Sequence, residues 1–83
     1  MYYVYILKCA DNTYYTGITT DPDRRLDEHN TSNKGAKYTR TRRPVQIVYC
    51  AEAANRSTAA IEEARIKKLT RQQKISLIEK GNI

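Results

Sequence analysis

The chain opens with two short apolar segments separated by a polar turn. Residues 2–8 are rich in Tyr, Val and Ile, and both faces of the strand they would form are largely apolar, as expected for a strand covered on two sides. Residues 10–13 favour a turn because Asp and Asn tolerate tight backbone geometry, and residues 14–19 form a second strand. This start predicts a β-hairpin and not a signal peptide, because no basic segment precedes the apolar run.

The middle of the chain changes from strand to helix at Asp21–Pro22. Asp21 can cap a helix and Pro22 suits its first position, so a helix is predicted to run to about His29 or Asn30. Residues 31–43 are polar and basic and contain Gly35, which is typical of a loop. Pro44 closes this loop, and residues 45–50 form a third strand.

The last third of the chain is predicted to be helical. One helix runs from about Ser57, as its cap, to Leu69. Thr70 and Gln73 make a capping-box pattern, which starts a final helix that ends near Gly81. The resulting order ββαβαα predicts an α+β fold with a small, mostly antiparallel three-stranded sheet flanked by helices. We expect residues 1–83 to form a single domain.

Composition indicates the cellular location of this domain. No apolar run reaches the ~18 residues that a membrane span needs, so we expect no membrane association. Cys9 and Cys50 lie near the ends of apolar runs and are predicted to be small buried or half-buried thiols. A reduced, cytoplasmic location fits them best, with a Cys9–Cys50 disulfide left open as the alternative.

The charge balance indicates the kind of partner. The net charge is +6 and the sequence pI is about 9.5, with basic residues concentrated in segments 34–43 and 65–74. A dense basic surface favours a polyanionic partner, most commonly nucleic acid. The alternative is a solvated basic face that binds no ligand.

The candidate chemistry lies in the tyrosines and a few polar neighbours. All seven aromatic residues are tyrosines, and buried phenols need hydrogen-bond partners. Tyr5 and Tyr15 fall on paired strands, while Arg25 and His29 are four residues apart and share one helical face. If that face turns toward the hairpin, a guanidinium, an imidazole and two phenols converge.

These residues and their spacing resemble the GIY-YIG nucleases. The segment 3–5 is similar to the family's Gly-Ile-Tyr element and the segment 15–17 to its Tyr-Ile-Gly element, with Tyr3 and Thr16 as the departures. The intervals from Tyr5 to Tyr15, to Arg25 and to His29 match the family pattern. The segment 63–67 also matches, and the stretches 35–39 and 66–71 are closest to the small stand-alone bacterial members.

The resemblance implies a metal-dependent endonuclease that hydrolyses nucleic-acid phosphodiesters. It assigns the general base to Tyr5, with Tyr15 positioning water or phosphate, although these two roles could be exchanged. Nearby cations would have to lower the high pKa of the base. Arg25 would neutralise phosphate oxygens, and His29 would contact the phosphate or assist proton transfer.

The remaining expectations about the site concern the ligand of the metal ion and a glycine beside the two tyrosines. The resemblance gives Glu63 a single divalent ion, Mg²⁺ or Mn²⁺, that stabilises the leaving oxygen. The helical pattern alone would instead single out Glu62, which lies within the apolar face formed by Ala59, Ile66 and Leu69. Gly17 is predicted to be structural and to allow close backbone approach beside the site.

The basic loop is predicted to hold the nucleic-acid backbone on either side of the cut, through Lys34, Lys37, Arg40, Arg42 and Arg43. DNA is favoured over RNA, with a role in repair or recombination, by analogy with the family. A protein partner could supply targeting. Two other functions stay open, namely a nucleic-acid-binding module with little catalysis and a domain that binds an acidic protein.

Overall fold

The computed structural model describes residues 1–81 and confirms the predicted α+β architecture. The elements are β1 (Tyr2–Lys8), β2 (Tyr14–Thr19), α1 (Pro22–Thr31), α2 (Lys37–Arg40), β3 (Gln46–Ala53), α3 (Arg56–Lys67) and α4 (Arg71–Gly81). The strands form one antiparallel sheet in the order β2-β1-β3. The order ββαβαα holds, with the one-turn helix α2 added inside the segment predicted as a loop.

Strand β1 is central, and both of its faces are covered as its sequence predicts. Val4 and Ile6 pack on one face against Ala53 and against Ala59 and Ile66 of α3. The other face carries Tyr5 and Leu7, which pack with Cys9 and Val45 and against Leu26 of α1. The alternation of side chains along a strand thus divides the core into two layers, and the candidate site belongs to the layer beneath α1.

The helix starts follow the capping residues, with one correction. Asp21 accepts a hydrogen bond from the Arg24 amide at 3.1 Å and begins α1 as predicted. Helix α3 begins earlier than predicted, because Asn55 and not Ser57 is its cap; the Asn55 side chain accepts from the Thr58 amide at 2.9 Å. Asn is as strong a cap as Ser, so sequence alone gave no preference between them.

The capping box that starts α4 is present in both directions. The Thr70 amide donates to Gln73 Oε1 at 2.9 Å, and the Gln73 amide donates to Thr70 Oγ1 at 3.2 Å. The reciprocal bonds satisfy two amides that would otherwise lack partners at the helix start. The predicted break between α3 and α4 is therefore confirmed.

The segment between α1 and β3 is held tightly despite its polar sequence. Asn30 bonds both backbone groups of Val45, accepting from its amide at 2.8 Å and donating to its carbonyl at 3.0 Å. The Arg43 guanidinium donates to the carbonyls of His29 and Ser32, both at 2.6 Å. These bonds anchor the segment to the carboxyl end of α1, where helix carbonyls lack intrahelical partners.

The two cysteines differ from each other in exposure. Cys9 is buried as predicted, but Cys50 is exposed, and both are free thiols. The prediction for Cys50 was wrong because β3 is an edge strand, so that its position near an apolar run did not ensure cover. Across residues 1–81, none of the helices is long and apolar enough to cross a membrane.

Candidate active site

A buried tyrosine–histidine pair forms the centre of the site. Tyr5 lies in the middle of β1 with 2% of its surface exposed, and His29, in the last turn of α1, is 0% exposed. The Tyr5 hydroxyl oxygen is 2.9 Å from His29 Nε2, and the two rings meet edge-on with centroids 6.0 Å apart. The convergence expected from sequence is therefore present at this pair.

Tyr15 places a second phenol ring beside His29. It lies on β2 opposite Leu7, is half-buried, and its ring centroid is 5.4 Å from that of His29. Its ring also stacks on that of Tyr38, at 5.9 Å and 27°. Tyr15 thus connects the buried pair to the surface of the loop segment.

Arg25 stands one helical turn before His29 and adds positive charge to the site. Its Nη1 donates to Glu28 Oε1 at 3.0 Å and to the Lys34 carbonyl at 2.7 Å. These bonds fix the guanidinium between α1 and the loop. The Arg25 charge opposes the effect of burial on the pKa of Tyr5 and adds to the effect of burial on the pKa of His29.

Burial keeps the tyrosine–histidine pair neutral. It raises the pKa of Tyr5 to about 12, although Arg25 acts in the opposite direction. It also lowers the pKa of His29 to about 4, and here Arg25 adds to the effect. A lowered tyrosine pKa was expected, but desolvation outweighs the neighbouring cation. At neutral pH the pair is a phenol and a neutral imidazole.

Gly17 lies directly opposite Tyr5 in the β1–β2 pairing. A Cβ atom at this position would be 2.5 Å from the Tyr5 hydroxyl oxygen and 2.7 Å from Tyr5 Cζ. Both distances are well inside van der Waals contact. The phenol ring of Tyr5 therefore occupies the space that any other side chain would fill.

The two candidate glutamates of α3 have different surroundings. Glu63 is half-buried, lies 3.4 Å from Lys67 Nζ, and is among the charges that raise the pKa of Tyr5. Glu62 is paired with Arg65 three residues later. Both carboxylates are therefore paired with a basic residue of α3, Glu63 with Lys67 and Glu62 with Arg65, and the charge of Glu63 also acts on Tyr5.

A single carboxylate suits the kind of metal site the sequence predicts. Residues 1–81 contain no group of three or more His, Cys, Asp or Glu side chains arranged to hold a metal ion. Mg²⁺ commonly keeps several waters and binds proteins through one or two carboxylates together with substrate phosphates. Glu63 fits such a role as the sole protein ligand.

The five predicted backbone-binding cations divide into two groups. Lys34, Lys37 and Arg40 are exposed. Arg42 is instead paired with Asp11 at 3.0 Å, and Arg43 is bonded to the end of α1. The free charge of the loop is thus concentrated on three side chains, and the two arginines hold the loop in place.

Two further residues of the site lie in the family-like stretch 35–39 but were given no role from the sequence. Thr39, the buried residue of α2, has its hydroxyl oxygen 2.9 Å from His29 Nδ1. Tyr38 stacks on Tyr15, and the Arg42 guanidinium lies 4.0 Å from the Tyr38 ring centroid. Neither is marked by periodicity, because both lie in a segment whose composition predicts only a loop.

Comparison with known proteins identifies the class of domain. The sequence model described as the GIY-YIG catalytic domain matches residues 1–76. That match covers the strands, the helix with Arg25 and His29, and the helix with Glu63. The chain belongs to the GIY-YIG family.

Within this family the chain is similar to small proteins named UPF0213. It is 51% identical over 78 residues to UPF0213 protein SH2523 of Staphylococcus haemolyticus, which covers 94% of each chain. It is 52% identical over 83 residues to UPF0213 protein DP2720 of Desulfotalea psychrophila, covering 96% of this chain and 76% of the relative.

Solved structures agree with this placement. The solution structure of EF2693 from E. faecalis is 47% identical, with a TM-score of 0.64 over 95% of this chain and 83% of that one. The solution structure of UPF0213 protein BH0048 from Bacillus halodurans is 46% identical, with a TM-score of 0.61 over 98% of this chain and 87% of that one.

Proposed function

We propose that the protein is a metal-dependent endonuclease that hydrolyses phosphodiester bonds of nucleic acid, with DNA as the favoured substrate. The observation that carries the proposal is the hydrogen bond between Tyr5 and His29. Tyr15 lies beside His29, and the charges of Arg25 and Glu63 act on Tyr5. Membership of the GIY-YIG family supports the same class of chemistry.

The tyrosine–histidine pair supplies the general base. As water attacks phosphorus, Tyr5 takes a proton from the water and passes its own hydroxyl proton to His29 Nε2. The phosphorus–oxygen bond to the leaving alkoxide breaks in the same displacement, and the alkoxide takes a proton from solvent. The charge of a bound phosphate favours this transfer, because a nearby anion stabilises the imidazolium form of His29.

The other residues assist at the phosphate. Arg25 neutralises charge on the non-bridging oxygens through its planar guanidinium. Tyr15, half-buried beside His29, orients the water or the phosphate, and the hydrogen bond to His29 Nε2 favours Tyr5 over Tyr15 as the base. Glu63 would hold the divalent ion, Mg²⁺ or Mn²⁺, and the bound ion would supply polarisation of the phosphate and stabilisation of the leaving oxygen.

The cellular setting follows from the same features. We place the protein in the cytoplasm, since both cysteines are free thiols. A task in DNA repair or recombination rests on analogy within the family. Targeting would come from a partner protein or from the shape of the substrate, because contacts from exposed lysines to phosphate read no base sequence.

One observation favours a second function, a nucleic-acid-binding module with little catalysis. The tyrosine–histidine pair is strongly held in its neutral form, with pKa values of about 12 and about 4. With these pKa values, transfer of a proton from Tyr5 to His29 is strongly unfavourable, so bound phosphate would have to favour it greatly for the pair to act as a base. The two functions make opposite predictions for cleavage.

The deciding experiment is a cleavage assay on single-stranded, duplex and branched DNA and on RNA, with Mg²⁺, Mn²⁺ or chelator. Tyr5→Phe and Glu63→Gln are compared with the matched controls Tyr3→Phe and Glu62→Gln, which lie nearby on the same strand and helix. Metal-dependent cleavage that is lost only in the first two variants supports the nuclease. Cleavage that survives both would refute this site, and binding without cleavage on every substrate would favour the binding module.

A further inference from the structure

We propose that Thr39 is a positioning residue that holds His29 in the tautomer protonated on Nδ1, so that Nε2 faces Tyr5 as a proton acceptor. This inference rests on the proposed function, because it concerns the base of that reaction. It assigns a role to a residue of α2 that lies in the family-like stretch 35–39 but was given no role from the sequence.

The first support is the placement of Thr39. It is 0% exposed, although it lies in a one-turn helix whose other three residues, Lys37, Tyr38 and Arg40, are exposed. Its hydroxyl oxygen lies 2.9 Å from His29 Nδ1. The backbone of Gly35 also lies against α1, since a Cβ atom added at position 35 would be 2.7 Å from the His29 Cα. The close packing of this segment on α1 places the Thr39 hydroxyl next to His29 Nδ1.

The second support is the number of protons available. The Thr39 hydroxyl lies 2.8 Å from the Ala36 carbonyl, which can only accept. A hydroxyl has one hydrogen to donate and lone pairs to accept with. When that hydrogen bonds the Ala36 carbonyl, the Thr39 oxygen must accept from His29, which places the imidazole proton on Nδ1.

The third support comes from the Tyr5 side of the ring. With the proton on Nδ1, the Nε2 lone pair accepts the Tyr5 hydroxyl at 2.9 Å. In the opposite tautomer Nε2–H would donate to the buried Tyr5 oxygen, and the hydroxyl hydrogen of Tyr5 would lose this acceptor. Unpaired buried donors are unfavourable.

One contact favours the opposite tautomer. The Ala36 amide points at His29 Nδ1 from 3.3 Å, and it would be satisfied if that nitrogen carried a lone pair. This contact is longer than the two bonds that Thr39 makes, and hydrogen bonds weaken with distance. The network of shorter bonds therefore determines the tautomer.

The role of Thr39 in the reaction follows from this arrangement. When Tyr5 passes its proton to Nε2, His29 becomes an imidazolium with two N–H groups. One of them donates to the Tyr5 oxygen and the other donates to Thr39, so no proton is left unpaired. A neutral hydroxyl stabilises the imidazolium less than a carboxylate would, which allows His29 to return the proton after the cut.

The test uses the fact that His29 is the sole histidine of the sequence. Its ring nitrogens give an unambiguous signal in ¹⁵N NMR, where the protonated and unprotonated nitrogens are distinguished directly. Between pH 6 and 8 the wild-type protein is expected to show a neutral ring protonated on Nδ1. A ring protonated on Nε2 would overturn the inference without any substitution.

Two substitutions extend the test. Thr39→Val keeps the shape but removes the hydroxyl, and it should shift the ring toward Nε2 protonation and lower kcat by about ten- to a hundredfold with KM little changed. Thr39→Ser restores the hydroxyl and should restore both the NMR signal and the rate. A valine variant that keeps the Nδ1 proton and full kcat, or a serine variant that recovers neither, would refute the role.

The NMR signal also separates this inference from the proposed function. If the wild-type protein cleaves nothing but His29 carries the expected proton and loses it in Thr39→Val, the nuclease proposal fails and the positioning of His29 by Thr39 stands. If the protein cleaves normally and the tautomer is the opposite one, the inference about Thr39 and the proton transfer from Tyr5 to His29 Nε2 are lost, and the nuclease proposal itself stands.

Discussion

The backbone of Gly17 lies against the phenol of Tyr5, so that a methyl group at position 17 would be 2.5 Å from the Tyr5 hydroxyl oxygen. The Gly17→Ala substitution must therefore displace a ring that is buried on all sides. Overpacking of this kind costs about 1–3 kcal/mol of unfolding free energy, and cleavage should fall more than tenfold where the variant is still folded.

Urea unfolding and initial cleavage rates measure both effects of Gly17→Ala. Adding Tyr5→Phe removes the closest atom, so the double variant should be more stable than the sum of the two single losses predicts. A Gly17→Ala protein with wild-type stability and rate would mean that the close approach has no functional importance.

Loss of the Tyr5 hydroxyl should affect catalysis far more than loss of a neighbouring phenol. Tyr5→Phe leaves His29 Nε2 buried without its partner, which costs about 1–3 kcal/mol of stability, and it removes general base catalysis worth about 10²–10⁴-fold. Tyr3→Phe, two residues earlier on β1, should change the rate less than threefold. Single-turnover cleavage rates compare the two, and equal effects would contradict the assignment of the base to Tyr5.

The free energy of unfolding should decrease as the pH falls from about 6.5 toward 4. Burial lowers the pKa of His29 from 6.5 to about 4, so between these values the unfolded chain binds a proton that the folded protein does not. The His29 contribution is fully present above pH 6.5, decreases as pH falls toward 4, and changes little below that. The resulting change in the free energy of unfolding between pH 6.5 and 4 is about 3 kcal/mol at most.

Urea unfolding at pH 4 to 7 measures this dependence. The variant His29→Gln cannot titrate at this position, so the difference between the two curves isolates the histidine from the carboxylates. Parallel curves for the wild type and His29→Gln would show that His29 is not held neutral.

The basic loop should separate binding from stability. Lys34→Ala and Lys37→Ala remove exposed charges, and each should reduce the salt dependence of nucleic-acid affinity by about one unit of log–log slope. Arg43→Gln should instead lower the unfolding free energy, because the guanidinium bonds the carbonyls of His29 and Ser32. Binding measured at several salt concentrations and urea unfolding test this division, and a slope unaffected by either lysine would exclude them from the interface.

The fold could be predicted from sequence because its signals are local. The alternating and doubly apolar strands, the Asp21–Pro22 start of α1 and the Thr70–Gln73 capping box each depend on residues close in the chain. Of the two errors, the cap of α3 has a local cause and the exposure of Cys50 has a non-local one. Asn55 and Ser57 are equivalent as caps, and the exposure of Cys50 depends on which strand lies at the edge of the sheet.

The site was less predictable because it depends on contacts between distant segments. The spacing of Tyr5, Tyr15 and Arg25 could be recognised, but the burial that sets the pKa values of Tyr5 and His29 exists only after folding. Thr39 lies in a segment of loop-like composition, and nothing in its sequence shows that the hydroxyl turns inward. The choice between Glu63 and Glu62 as the metal ligand stays a prediction, because the helical pattern favours Glu62 and the family resemblance favours Glu63.

The unequal cover of the tyrosines has a consequence for chemical labelling of the protein. Reagents that nitrate or acylate phenols attack accessible rings, and Tyr38 is 39% exposed whereas Tyr5 is 2% exposed. Tyr38 should therefore be modified early and Tyr5 last. A partly labelled protein would carry its modification at the rim of the site, above an intact base, so a labelled Tyr38 could serve as an optical reporter for a strand of nucleic acid arriving at the loop.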